Sequence, residues 1–173
     1  MIFKSKKLYF YEDDYCQIEI LPKENLSYLE EENRKITDFA NKNRVEFGYS
    51  EIYLRKDNQV TLSQKKIKMV DLDKLALTLK FPKIEKIYTG YGSYKERAIN
   101  TIAYTKDSLE IYCDFNKDII QNIWIDYINI ELSGIEILNK MGKKWNLILN
   151  DWKMSYIVDL SNIEDIKSYY KLF

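Results

Sequence analysis

The residues of this chain best able to do chemistry are two groups of carboxylates, which could act as an acid and a base or attract a cationic partner. They are Glu12, Asp13 and Asp14 near the start, and Glu110, Asp114 and Asp126 further along. Hydrolysis by such a pair needs two carboxyl groups facing each other across a cleft, whereas the second group alternates along predicted strands and so lies on a flat face. The first group lacks the glycine and the terminal glutamate of a calcium loop. We therefore expect solvated or partner-facing carboxylates, with no catalytic residue and no metal site.

Composition removes several classes of enzyme. The 173 residues include no histidine, so the usual general base at neutral pH and the commonest metal ligand are missing. Histidine-dependent nucleases, serine-histidine hydrolases and zinc hydrolases are therefore excluded. Cys16 and Cys113 are too few for a disulfide framework, and both fall on predicted strands, where buried small side chains are expected. We expect no enzymatic activity and no cofactor.

A glycine-containing segment, Gly90-Tyr91-Gly92-Ser93, is similar to the start of a phosphate-binding loop. It lacks a third glycine and a Gly-Lys-Ser/Thr ending, so nucleotide binding is not expected. One interpretation is a turn that uses glycine's access to positive φ. A second is a loop that presents Tyr88, Tyr91 and Tyr94 to a partner, because tyrosine combines a large contact area with a polar tip. The sequence leaves both interpretations open.

Charge is balanced overall but uneven along the chain. Lysine plus arginine and aspartate plus glutamate both number 27, which argues against a protein that wraps duplex nucleic acid. Basic residues outnumber acidic ones over 55–97, and acidic residues dominate 107–139. The lysines and tyrosines of 65–97 could bind single-stranded RNA by charge and stacking. Because no RNP-type motif is present, solvated lysines are the favoured interpretation, no direct nucleic-acid contact is expected, and RNA binding is the alternative.

Local patterns predict both strands and helices. Aromatic and β-branched residues on both sides of Glu12-Asp13-Asp14 predict an N-terminal hairpin with strands at 8–11 and 15–21. Residues 45–54 alternate in part, which predicts a further strand. Helical periodicity and capping signals predict helices over 29–41, 71–80 and 130–141, and a last helix after residue 161.

The clearest geometry is a meander of strands over 99–127. If turns fall at Lys106-Asp107 and at Asn116-Lys117-Asp118, both hairpins put Ile111 and Cys113 on one core face. The opposite, outer face then carries Glu110, Tyr112, Asp114, Asn122, Trp124 and Asp126. Trp124 is expected either to be covered by a helix or to act as an interface anchor. We predict a single α+β domain over 1–173, an antiparallel sheet of about six or more strands with about three or four packed helices.

No run of the sequence approaches the roughly 18 consecutive apolar residues of a membrane-spanning helix, so no membrane partner is expected. No basic and apolar leader with a small-residue cleavage site is seen at the start. The default expectation is a cytoplasmic protein.

Three segments carry a family resemblance: LYFYEDDYCQIEILP at 8–22, YTGYGSY at 88–94 and NIWID at 122–126. Together they resemble small bacterial immunity proteins of contact-dependent growth inhibition and related polymorphic toxin systems. Such families imply a cytoplasmic, non-enzymatic protein that binds one cognate toxin domain, often a nuclease, and blocks it. The resemblance concerns the overall pattern of the chain and includes no functional motif that transfers residue by residue.

The charge pattern suits such a role, because an acidic surface attracts a cationic nuclease and excludes RNA from its active site. Aromatic anchors among the carboxylates would lengthen the residence time of the complex. The expected toxin-binding residues are those of the meander's outer face, with either the first acidic loop or the tyrosine loop as a second region. They are Glu110, Tyr112, Asp114, Trp124, Asp126, Glu12, Asp13, Asp14, Tyr91 and Tyr94.

Overall fold

The structure, a computed structural model, describes residues 7–55, 60–127 and 131–172. Within them the helices are α1 (Leu26–Asn43), α2 (Met69–Thr78), α3 (Leu132–Trp145) and α4 (Ile163–Tyr170). The strands are β1 (Leu8–Tyr9), β2 (Ile18–Pro22), β3 (Arg44–Val45), β4 (Gly48–Tyr49), β5 (Lys83–Ile84), β6 (Ile87–Tyr91), β7 (Tyr94–Arg97), β8 (Thr101–Lys106), β9 (Leu109–Asn116), β10 (Ile119–Tyr127), β11 (Leu147–Asp151) and β12 (Tyr156–Asp159). The predicted helices are confirmed with shifted ends, and the start predicted at residue 130 lies outside the described residues.

The largest sheet in the described part of the chain has seven antiparallel strands, in the order β12-β11-β2-β10-β9-β8-β5. One face of it packs against α2, α3 and α4. Ile111, Cys113, Ile123 and Ile125 of the meander are buried together on this face, as their alternation predicts. The predicted α+β fold, an antiparallel sheet with several packed helices, is confirmed.

Along β8 and β9, and from Asn122 onward in β10, the meander keeps its predicted faces although its register is shifted. Lys106 pairs with Leu109, so the first turn is Asp107-Ser108 rather than Lys106-Asp107. In the second hairpin a β-bulge between Ile120 and Asn122 adds a residue to β10, and Ile120 is buried in the core. Beyond the bulge each pairing lies two residues from the predicted one. A shift of two leaves every side chain on the same face, because side chains alternate with period two.

The opposite face of the large sheet is covered by two different layers. α1 covers β2 and β11, where Leu29 packs with Ile148 and Trp152. A smaller sheet, in the order β1-β6-β7, covers the meander. There Phe10 and its neighbours pack on Trp124. The outer face of the meander is therefore an internal layer over much of its area.

The toxin-binding role expected of Tyr112 and Trp124 conflicts with their burial. Their side chains are 0% and 1% exposed. Phe10 packs edge-on against both rings, at centroid distances of 5.4 and 5.3 Å, and Tyr15 adds a further contact to Trp124 at 4.8 Å. The cover comes from the first residues of the chain and not from a helix. Neither aromatic ring is accessible to a partner, so neither is an interface anchor.

The predicted N-terminal hairpin is also wrong. β1 pairs in parallel with β6, with Leu8 opposite Ile87, whereas β2 pairs with β10 and β11. Residues 12–14 form a 3-10 turn, and Cys16 then adopts the left-handed conformation at φ 51°. This turn directs the two halves of the segment into different sheets, which is how the first strand comes to cover the meander.

A close approach between α3 and the segment before α4 requires glycine at position 142. A Cβ at this position would lie 2.3 Å from the Leu160 carbonyl carbon and 2.5 Å from Leu160 Cβ. We expect Gly142→Ala to lower the free energy of unfolding by about 1–3 kcal/mol, despite the higher helix propensity of alanine. Thermal unfolding measures this, with Lys143→Ala at the exposed neighbouring position as the control. An unchanged Tm for Gly142→Ala would contradict the close packing.

Candidate functional site

The 3-10 turn at Glu12–Asp14 places the first acidic group beside the carboxylates of the meander. Directly after the turn, the Tyr15 hydroxyl donates to Asp114 Oδ2 at 2.7 Å. Asn122 Nδ2 of β10 donates to the same hydroxyl at 3.0 Å. The two acidic groups, which are about a hundred residues apart in sequence, therefore meet in one region of the surface.

Asp114 accepts hydrogen bonds from two separate segments of the chain in this region. Its Oδ1 accepts a hydrogen bond from Thr101 Oγ1 at 2.7 Å, and its Oδ2 accepts from Tyr15. Burial, followed by the hydrogen bond to Asp114, raises the pKa of Tyr15, so its hydroxyl is a donor at neutral pH. Because Asp114 is half-buried and bonded through both oxygens, a charge reversal here would disturb the fold together with the surface.

Glu110 and Asp126 are cross-strand partners on β9 and β10. The buried Tyr112 hydroxyl donates to Glu110 Oε2. Burial and then this carboxylate raise the pKa of Tyr112, and the charges of Asp126 and Asp14 act in the same direction. Glu110 is thus bonded to this hydroxyl, and Asp126 and Asp14 act on it only through space. Tyr112 donates its hydrogen bond to Glu110 from the buried side and contributes no accessible surface.

Tyr91 and Tyr94 lie at the tip of a hairpin formed by β6 and β7. Gly90 has a φ of 110°, and a Cβ there would lie 2.1 Å from the Tyr94 carbonyl oxygen, so this hairpin needs glycine. The Tyr91 ring lies 6.1 Å from the Tyr11 ring. Its hydrogen bond to Asp13, followed by burial, raises the pKa of Tyr91. The first interpretation of the glycine segment, a turn that uses positive φ, is confirmed. Tyr91 and Tyr94 are exposed and Tyr88 is half-buried, and a partner for this loop stays a prediction.

Most of the residues predicted from sequence thus come together, with Tyr112 and Trp124 buried below. We name the accessible set the acidic–tyrosine surface: Glu12, Asp13, Asp14, Tyr91, Tyr94, Glu110, Asp114 and Asp126. It concentrates negative charge next to exposed aromatic rings. Such a surface is suited to bind a basic protein or another polycation.

A cavity of about 440 Å³ opens where β2 and β10 separate. The two strands pair through Glu19 and Trp124, and the cavity is lined by the residues that follow Glu19 in β2 and by Gln121 and Asn122, which precede Trp124 in β10. Trp152 Nε1 donates to Glu19 Oε2 at 3.1 Å, and the Arg55 guanidinium lies over the Trp152 ring, 4.5 Å from its centroid. We name this cavity the Glu19 pocket. Its polar walls are Tyr15, Glu19, Arg55, Thr61, Gln121 and Asn122.

Glu19 is a buried carboxylate, and its burial disfavours the ionised form. It is 9% exposed, and burial raises its pKa above the ordinary value of 4.5, against the lowering effects of the Trp152 hydrogen bond and of Arg55. A raised native pKa means that the folded state binds the proton more tightly than the unfolded chain does. The contribution of the neutral Glu19 side chain to the free energy of unfolding is therefore at its maximum below the unfolded-state pKa. It is lost as the pH rises through the native pKa.

We expect Glu19→Gln to be more stable than the native chain at about pH 7, because glutamine keeps an acceptor for Trp152 and carries no charge to desolvate. The difference in free energy of unfolding should vanish below pH 4.5, the ordinary carboxyl value, where both side chains are neutral. Chemical unfolding across this range of pH measures the difference. A difference that is independent of pH would contradict the buried, ionisable carboxylate.

An exposed apolar segment after α1 was not expected from sequence. The alternation over 45–54 predicts one strand, whereas the chain forms the short β3–β4 ribbon followed by irregular backbone. Phe47, Ile52 and Leu54 are 90%, 84% and 83% exposed. Contiguous exposed apolar side chains of this kind mark interaction sites. We name this segment the apolar arm: Val45, Phe47, Tyr49, Ile52 and Leu54.

The apolar arm, the Glu19 pocket and the acidic–tyrosine surface adjoin one another. Tyr49, Trp152 and Lys153 line a cavity of about 400 Å³, and Trp152 also lines the Glu19 pocket. Lys153 Nζ forms an ion pair with Asp14 at 2.9 Å. One partner could therefore contact all three features at once.

The basic residues of 65–97 are distributed over separate elements. Lys65, on the 3-10 turn before α2, pairs with Glu24 at 2.7 Å. Lys83, on β5, pairs with Asp73 at 3.1 Å, and Lys95 lies on β7 of the smaller sheet. Within the described residues these cations are therefore partly neutralised and divided between the two sides of the molecule.

No helix in the described residues is long and apolar enough to cross a bilayer. In the same residues, no three carboxylates or thiols are grouped so that they could hold a metal ion. The chain matches no protein-family model, no curated protein and no solved structure.

Proposed function

We propose that this protein binds a basic toxin domain, of the nuclease kind that the sequence resemblance implies, and neutralises it by blocking its active site or its access to substrate. The observation that carries the proposal is the acidic–tyrosine surface. Carboxylates from the 3-10 turn at Glu12–Asp14 and from β9 and β10 are joined there by the Tyr15–Asp114 hydrogen bond. A protein with this role works in the cytoplasm and needs no catalytic group.

The physical case is electrostatic. A nuclease that binds RNA carries cationic groups around its active site. A surface of fixed carboxylates attracts those groups, speeds the encounter and competes with the phosphates of the substrate. The exposed Tyr91 and Tyr94 rings next to them offer contact area at a low cost in conformational entropy. Together they provide both a rapid approach and a long residence time.

The lysines of 65–97 give less support to RNA binding by this chain. Lys65 and Lys83 are occupied by ion pairs, and the exposed Tyr91 and Tyr94 share their cavity with the carboxylates of Glu12 and Glu96 as well as with Lys95. Stacking platforms for RNA combine aromatic rings with a cationic groove. A gel-shift titration with single-stranded RNA at low salt tests this directly, and we expect no binding.

The apolar arm is expected to supply a second part of the interface. We expect Phe47→Ser combined with Ile52→Ser to weaken the complex at least about tenfold, since exposed apolar anchors lose their contacts with the partner. The free energy of unfolding should change by no more than about 0.5 kcal/mol, because both side chains are in solvent. Calorimetric titration and thermal unfolding measure the two effects. Leu77→Ser on α2, equally exposed, is the control, and equal losses of affinity in both would contradict a specific role for the arm.

The experiment that tests the proposal is co-expression with the C-terminal domain encoded immediately upstream of the gene. We expect that domain to inhibit growth when it is expressed alone, and this protein to restore growth and to co-purify with it in a stoichiometric complex. A toxic domain that the protein neither binds nor neutralises would overturn the proposal.

A further inference from the structure

We propose that the Glu19 pocket receives a guanidinium or ammonium group, delivered by a basic side chain of the partner, and that this cation pairs with the Glu19 carboxylate. The statement that the partner supplies this cation rests on the proposed function. The pocket's preference for a cation rests on its own geometry.

The first observation is a buried carboxylate that forms no ion pair within the described part of the chain. Glu19 accepts a hydrogen bond from the neutral Trp152 indole, and it forms no salt bridge with any other described residue. A carboxylate removed from water is strongly favoured to take up a compensating charge. Here the carboxylate borders a cavity of about 440 Å³, within the range of about 300–1,000 Å³ typical of ligand sites. The compensating group can therefore come from outside the chain.

The second observation is the position of Arg55. Its guanidinium stacks on the face of Trp152 at 4.5 Å from the ring centroid, while the indole N–H points to Glu19. Arg55 influences the carboxylate through space but does not bond to it. The chain's own guanidinium thus shows that this aromatic wall accepts a planar cation, and the carboxylate beside it is still available.

The third observation is the location of the pocket. Tyr15 and Asn122 line it, and both belong to the hydrogen-bond network of Asp114 in the acidic–tyrosine surface. A basic protein attracted to that surface has its lysine and arginine side chains next to the mouth of the pocket. Insertion of one of them buries a charge pair at the interface, which gives specificity as well as attraction.

The test begins without a partner. Agmatine, an alkylguanidinium, is titrated into the purified protein, and binding is followed by amide and indole NMR shifts, with N-butylurea as a neutral probe of similar shape. We expect the Trp152 indole signal to shift with agmatine, at a Kd on the order of millimolar for so small a ligand. N-butylurea should bind at least about tenfold more weakly.

Two matched variants identify the site. Glu19→Gln removes the pocket's charge and is expected to weaken agmatine binding at least about tenfold. Glu32→Gln makes the same change at another buried carboxylate, on α1, which binds Lys35 and Tyr53, and it should leave agmatine binding unchanged. Equal binding of agmatine to native protein and Glu19→Gln, or no binding to either, would overturn the proposed pocket.

The complex then tests the source of the cation. Glu19→Gln should weaken binding of the toxin domain about tenfold while Glu32→Gln leaves it unchanged. Agmatine binding with an unaffected complex would overturn delivery by the partner. A toxin domain that fails to bind the native protein counts against the proposed function, and the agmatine titration still decides the chemistry of the pocket.

Discussion

Replacing Trp124 by alanine is expected to lower the free energy of unfolding by about 3–5 kcal/mol and the Tm by roughly 6–20 °C for a chain of this size. The indole is stacked on Tyr112 at a centroid distance of 5.4 Å and contacts Phe10 and Tyr15 edge-on at 5.3 and 4.8 Å. Removing it leaves a cavity between the meander and the N-terminal cover. Thermal and denaturant unfolding measure the loss.

Two further variants make this result specific. Trp124→Phe should cost less than alanine, because it keeps most of the ring contacts and removes a buried indole N–H that has no partner among the described residues. Tyr94→Ala, at an aromatic side chain 87% exposed, should change the free energy of unfolding by about 0.5 kcal/mol or less. A stable Trp124→Ala protein that has lost only its affinity for the partner would show that Trp124 is a surface anchor and would contradict the described packing.

Charge reversal on the acidic–tyrosine surface is expected to weaken the complex about 10–100-fold, mainly through slower association. The suitable pair is Glu12→Lys with Asp13→Lys, because both residues are exposed on the 3-10 turn and Asp13 bonds to Tyr91, which is itself exposed. Asp114 is unsuitable, since Thr101 and Tyr15 bond to it. Stopped-flow mixing with the toxin domain measures the association rate.

The matched control for this prediction changes the net charge by the same amount elsewhere. Glu30→Lys on α1 with Glu136→Lys on α3 uses two exposed helical positions. If both double variants slow association equally, net charge and not this surface governs the encounter. If neither slows it, the acidic–tyrosine surface has no part in binding.

The faces of the meander could be predicted from sequence for a simple physical reason. Alternation along β9 and β10 assigns Ile111 and Ile125 to one face without reference to the exact turn. The turn at Asp107-Ser108 falls one residue later than predicted. This shifts the pairing by two residues, and a shift of two preserves the faces. Alternation along the strands was therefore enough to predict which side chains share a face of the meander, whose strands are joined by short hairpins in one sheet.

What covers the outer face could not be predicted in this way. β1 pairs in parallel with β6 although Leu8 and Ile87 are far apart in sequence, and a parallel pairing leaves no hairpin signal. The left-handed φ of 51° at Cys16, which separates β1 from β2, is unusual for cysteine. The same alternation that placed Trp124 on the outer face correctly therefore could not show that this face is buried.

The candidate site was partly accessible to sequence reasoning. The carboxylates of Glu12–Asp14 and of the meander were visible as charge patterns, but their convergence depends on the Tyr15–Asp114 bond, a tertiary contact. Glu19 gave no signal, because a glutamate alternating with Ile18 and Ile20 in a strand is typical of a solvent-facing side chain. Its burial results from Trp152, which joins it from the other end of the chain.

The central claim is that fixed carboxylates on one surface attract a basic toxin domain. The most direct measurement is the association rate constant with that domain over a series of ionic strengths, for the native protein and for Glu12→Lys with Asp13→Lys. We predict a steep fall in rate with added salt for the native protein and a much shallower one for the variant. Rates that are independent of salt, or that fall equally for both proteins, would contradict the claim.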